Sequence, residues 1–148
     1  MYKKILVAID DSATSRSALA EALHIAKCSN AKLYITHVAD ETVLNIHGHA
    51  LSSVINMEGA VASITLAGQK LLDNAMQQAT GIDAEPLMLE ALNRRISETI
   101  SEKAKELGVD LIIIGRHGQR GLATLLLGSV AEQLAKIADA SVLLVRKH

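Results

Sequence analysis

Three glycines and a serine form the group in this chain best suited to hold a phosphate. They are spaced Gly115-Arg116-His117-Gly118, nine residues, then Gly128-Ser129. Gly115 follows Leu111-Ile112-Ile113-Ile114, an apolar run of the kind that fills a buried parallel strand. Gly128 and Ser129 open a helical pattern that puts Val130, Leu134 and Ile137 on one face. A glycine-rich turn between a buried strand and a helix lets backbone N–H groups come close to an anion. The positive end of the helix dipole then favours its charge.

Other residues near this turn carry chemistry of their own. Asp10 ends an apolar run, Ile5-Leu-Val-Ala-Ile, and suits either a Mg²⁺–phosphate contact or a turn and helix cap. Asp11 reads as a solvated turn residue. Arg116, His117 and Arg120 put cationic or protonatable groups around the glycines, as phosphate partners or as ordinary surface cations. Ser129 has two readings, a phosphate contact or the first residue of the capping box Ser129-Val-Ala-Glu132. His47-Gly48-His49 lacks the ligand count of a closed metal site. His24 and His37 read as structural, and Cys28 as an inert, partly buried thiol. The Walker pattern Gly-x-x-x-x-Gly-Lys-Ser/Thr is absent, and no residue stands out as a base for in-line attack by water.

The elements that must position these groups alternate along the chain. Strands are predicted at Lys4–Ile9, Ala31–Val38, Glu85–Leu89, Asp110–Ile114 and Ser141–Arg146. Helices are predicted at Thr14–Cys28, Val61–Thr80 and Arg94–Leu107, with one more opening at Gly128. Asp40–Gly59 fits no element. Pro86 cannot donate to a sheet ladder, so the third strand belongs at an edge. Strands separated by helices give an α/β fold, one doubly wound domain over residues 1–148 with a five-stranded parallel sheet. In the common order 3-2-1-4-5 or its variant, ligands bind between strands one and four, which end at Asp10 and Gly115.

Composition narrows the partners. The net charge is −1 with no basic arm, and there is neither Trp nor Phe and only two Tyr, which argues against base-stacking platforms and points away from nucleic acid. No apolar run is long enough for a membrane span, and the N-terminus has no secretion-signal pattern. The one cysteine cannot form an internal disulfide, which suits a cytoplasmic location.

The chain resembles the universal stress proteins of the ATP-binding subset. The likeness rests on Lys3-Lys-Ile-Leu-Val-Ala-Ile-Asp10, His37-Val38, Asp110-Leu-Ile-Ile-Ile-Gly-Arg-His-Gly118, Leu126-Leu-Gly-Ser-Val-Ala-Glu132 and Ser141-Val-Leu-Leu-Val-Arg146. It implies a fold like the adenine-nucleotide alpha-hydrolases and a bound ATP with Mg²⁺. By position, Asp10 would lie near the ribose and a metal-bridged phosphate, and Val38 would meet the adenine. Gly115, Gly118, Gly128, Ser129 and Val130 would wrap the phosphates. The resemblance also implies a homodimer formed through the last strand, Ser141 to Arg146, and a role as a nucleotide-dependent stress or signalling regulator. A slow ATPase or autokinase, a dimeric interaction module without nucleotide, and AMP, cyclic AMP or a flavin nucleotide as ligand are the alternatives. The chain departs from the family pattern at Asp11, at Ala91-Leu92-Asn93 where a glycine-containing turn is usual, and at Ala140-Ser141 where a proline is common.

Overall fold

The computed structural model describes residues 1–40, 54–117 and 128–147. Its strands are β1 Lys4–Ala8, β2 Lys32–Ala39, β3 Ala84–Glu90, β4 Leu111–Gly115 and β5 Ser141–Val145. They form one sheet in the order β3-β2-β1-β4-β5, every pair parallel. The helices are α1 Ala13–Ser29, α2 Val54–Gln78, α3 Ile96–Leu107 and α4 Ser129–Ile137. The α/β fold expected from the alternation is observed, with the common order of such sheets.

Side-chain alternation along the strands separates two cores. Ile5, Val7, Leu33, Ile35, Leu111 and Ile113 point to one face, against Ala18, Leu19 and Ala22 of α1 and Leu72 and Ala75 of α2. Leu6, Ala8, Tyr34, Val38, Ile112 and Ile114 point to the other, against Ile100 and Ala104 of α3 and Ala131 and Leu134 of α4. A strand buried on both faces has no polar period, which is why β1 and β4 read as unbroken apolar runs. Pro86 sits in β3 at the sheet edge, opposite Ile35, as its missing donor requires.

Several boundaries differ from the sequence reading. α2 starts at Val54, seven residues before the expected Val61, so part of the unplaced stretch is helix; residues 41–53, with His47 and His49, lie outside the described residues. β1 ends at Ala8 rather than Ile9, and β5 at Val145 rather than Arg146. Of the expected apolar stripe of α4, Leu134 is buried and Val130 packs against the core, whereas Ile137 is 44% exposed and Ala131 is buried beside Leu134. Cys28 is exposed, not partly buried.

Candidate functional site

The carboxyl ends of β1, β2 and β4 open into a cleft of about 1190 Å³. Its walls include Asp10 from the end of β1, Thr36 to Val38 from β2, Gly115 to His117 after β4, and the first turns of α3 and α4. This is the point where the winding of the sheet reverses between β1 and β4, the general place for a ligand in an open α/β sheet.

The turn after β1 is built from hydroxyls. Ser12 is the N-cap of α1, its side chain accepting from the Ser15 N–H at 3.1 Å. Ser15, buried, accepts from the Asp10 N–H at 2.8 Å. The Asp10 carboxylate in turn accepts from the Ser12 N–H at 2.9 Å through Oδ1. One carboxylate oxygen is thus committed to shaping the turn, and Oδ2 makes no hydrogen bond among the described residues.

The same hydroxyls reach across to the glycine turn. The Thr14 hydroxyl donates to the His117 carbonyl, and Ser12 Oγ lies 3.4 Å from that oxygen. The Arg116 N–H donates to the Val145 carbonyl, and the Gly128 N–H donates back to the Arg116 carbonyl, both at 2.8 Å. Arg116 and Gly128 are therefore held against each other and against the end of β5. Gly118 and Arg120 lie outside the described residues.

Gly115 answers to a packing demand. A Cβ there would come within 2.8 Å of both the carbonyl carbon and the hydroxyl of Thr14. Only a bare Cα lets β4 pass this close to the start of α1.

At α4 the N-cap is Gly128, in extended conformation (φ −62°, ψ 145°) and with no side-chain cap hydrogen bond. Ser129 is the first helical residue and not the cap. Glu132, the other half of the expected capping box, holds Lys136 at 2.7 Å. The free N–H groups of this first turn face the cleft wall formed by Gly128, Ser129, Val130 and Ala131.

The opposite wall holds Arg94 to Ser97. Arg94 pairs with Glu102, two turns along α3. That bond keeps the guanidinium charged and holds the Glu102 carboxyl below the ordinary glutamate range. Leu92 and Asn93, in the turn that lacks the usual glycine, both take left-handed backbone, φ 48° and 66°. His37 points away from this wall. Its Nδ1–H donates to the Ile9 carbonyl at 2.9 Å, and the bare face of Gly68 in α2 leaves room for the ring.

The cleft therefore brings together Asp10, Val38, Gly115, Arg116, His117, Gly128, Ser129 and Val130, every expected site residue except Gly118, which is not described. The sequence reading missed Ser12, Thr14 and Thr36. Ser12-Ala-Thr-Ser15 ahead of a helical pattern carried a capping signal; Thr36, the polar residue inside an apolar strand, carried a weaker one. No group of three or more His, Cys, Asp or Glu residues gathers to hold a metal among the described residues.

Comparison with known proteins agrees with this architecture. Residues 1–146 match the family model described as Universal stress protein family. The chain is 34% identical to universal stress protein YxiE of Bacillus subtilis, over 99% of this chain and 100% of the relative. The solved structure of MJ0577, a universal stress protein of Methanocaldococcus jannaschii, superposes with a TM-score of 0.82. That alignment covers 100% of this chain and 98% of the other at 26% identity. A universal stress protein solved in complex with cAMP shares the fold at a TM-score of 0.64 and 24% identity, over 99% of this chain and 98% of that one.

Proposed function

This chain belongs to the universal stress protein family, and we propose that it binds an adenine nucleotide, ATP with Mg²⁺, in the cleft between β1 and β4. In this reading it is a cytoplasmic regulator whose stress or signalling output follows nucleotide occupancy. The observation that carries the reading is the start of α4. Gly128 leaves the first-turn N–H groups without a side-chain cap, and they border a cleft at the reversal point of the sheet. Such a helix end attracts phosphate through directed donors and through its dipole. The cAMP complex of a family relative supports adenine as the base.

Within the cleft, Gly115, Gly128, Ser129 and Val130 hold the phosphates, with Arg116 and His117 beside them; Gly118, outside the described residues, is assigned to the phosphates by the family resemblance. Val38 meets the adenine. Asp10 faces the ribose and, through its second carboxylate oxygen, a Mg²⁺ ion. A hard cation shared between one carboxylate, water and phosphate oxygens needs no cage of protein ligands, so the donor set fits. When bound, Mg²⁺ supplies the positive charge that keeps Asp10 and the phosphates from repelling each other.

The chain works as a homodimer paired through its last strand, Ser141 to Arg146. β5 is an edge strand with Val142, Leu143 and Leu144 only half-buried, and it has no proline to blunt it, which supports this pairing.

Calorimetric titration of nucleotide-stripped protein with ATP and Mg²⁺ tests the site. Saturable binding near one ATP per chain is expected. No heat at several temperatures, together with no thermal shift, would sink the reading in favour of an interaction module. Sedimentation across a concentration series tests the dimer, and a monomer throughout would remove it.

A further inference from the structure

Three polar side chains are buried in the described core: Ser15, Thr36 and Ser97. Two of them are satisfied in the ordinary way. Ser15 accepts from the Asp10 N–H at 2.8 Å, and Ser97 donates to Gln133 Oε1 at 2.8 Å. Thr36, with no exposed surface, is the exception: its hydroxyl oxygen has no hydrogen-bond partner among the described residues. An unpaired buried hydroxyl is a standing cost to the fold, and such groups are few in native proteins.

Its place in the fold suggests what it is for. Thr36 pairs with Ala8 of β1 on one side and Leu87 of β3 on the other, near the carboxyl end of β2. Alternation sets its side chain on the same face as Tyr34 and Val38, the face covered by α3 and α4, and the residue lines the cleft floor. It stands one same-face position before Val38. Valine would fill this position at nearly the same volume and without the unpaired oxygen. A hydroxyl is retained where an apolar isostere would serve the fold better.

We propose that the Thr36 hydroxyl, sealed from solvent in the nucleotide-free cleft, is uncovered as the purine enters beside Val38 and forms a hydrogen bond with a polar atom on the purine edge. This inference rests on the nucleotide reading given above and adds a specificity-determining contact to it. A hydroxyl both donates and accepts, so it serves a ring nitrogen or an exocyclic amine.

The test is calorimetric titration with ATP and Mg²⁺ of the wild-type chain, Thr36→Val and Thr36→Ser, with thermal melts of each nucleotide-free protein. Thr36→Val should weaken ATP binding roughly tenfold. Its nucleotide-free melting temperature should stay level or rise, because the unpaired oxygen is gone. Thr36→Ser keeps the hydroxyl and should bind within about twofold of wild type. A purely structural threonine predicts the opposite split, lower stability in Thr36→Val with affinity unchanged. Wild-type binding matched by Thr36→Val overturns this inference alone. Equal weakening in both variants overturns it too, since serine still offers the oxygen. A wild-type chain that takes up no ATP overturns the nucleotide reading and this contact with it.

Discussion

Gly115 lies so close against Thr14 that any side chain on the glycine would strike the threonine: a Cβ would sit 2.8 Å from its carbonyl carbon and 2.8 Å from its hydroxyl. That hydroxyl is the one that donates to the His117 carbonyl. The end of β4, the start of α1 and the base of the glycine segment are therefore one mechanical unit. A change at any of the three is felt by the others.

Gly115→Ala should destabilise the fold by about 1–3 kcal/mol, because the obstacle is partly backbone and cannot rotate away. It should also weaken ATP binding, since Thr14 must move and release His117. Urea denaturation and titration read the two effects. An alanine variant with wild-type values in both would show that α1 yields without cost.

Ser129→Ala separates the two sequence readings of that residue. A lost N-cap would cost about 1 kcal/mol. Gly128 holds the cap position and Ser129 the first helical turn, so stability should change by less than about 0.5 kcal/mol. ATP affinity should fall several-fold through loss of one hydroxyl contact to phosphate. Stability lost with affinity intact would restore the capping role.

Leu92 is 65% exposed and has φ 48°, a conformation that costs a side-chain-bearing residue about 1–2 kcal/mol. Leu92→Gly relieves this strain but gives the unfolded chain more freedom, worth about 0.4–1 kcal/mol in the other direction. A net gain of roughly 0.5–1 kcal/mol is expected in urea melts. Lower stability in the glycine variant would mean that the leucine side chain makes a contribution larger than its strain.

Glu102 gives a pH marker for the wall of the cleft. Its carboxyl is held below the ordinary range first by its hydrogen bond to Arg94 and then by the charge of that guanidinium. A depressed folded-state value means the pair favours the fold above the unfolded glutamate range, and this is lost as pH falls through the folded value. Carboxyl titration by NMR should give a midpoint below that of an unperturbed glutamate. Arg94→Ala should move it back up. A midpoint indifferent to Arg94 would mean the pair does not persist in solution.

The sheet was legible in the sequence because its causes are local. Strands buried on two faces must be apolar throughout, as Leu111–Ile114 is, and Pro86 without its N–H had to lie at an edge. The meeting of Asp10 and Gly115 followed from the topology rule alone. The start of α2 was not legible, since Ser53 has no Glu or Gln three residues on to complete a capping box and the stretch around it is polar and glycine-containing, so docking on the sheet decides where the helix holds. The role of Ser129 was also beyond local pattern. A serine three residues before a glutamate caps a helix only if the chain enters at that residue, and here it enters one residue earlier, with Gly128 tied to the Arg116 carbonyl.

By itself the sequence determined the α/β class, the edge position of the third strand and the cleft that a phosphate-binding turn would share with Asp10, because hydrophobic period and glycine placement act within a few residues. Tertiary structure alone decided that Gly115 makes room for Thr14, that hydroxyls of α1 hold His117, and that Thr36 is buried without a partner among the described residues. Those facts depend on which surfaces meet across more than twenty residues of chain separation. Close approach and hydrogen-bond satisfaction are properties of that meeting, and no local pattern encodes them.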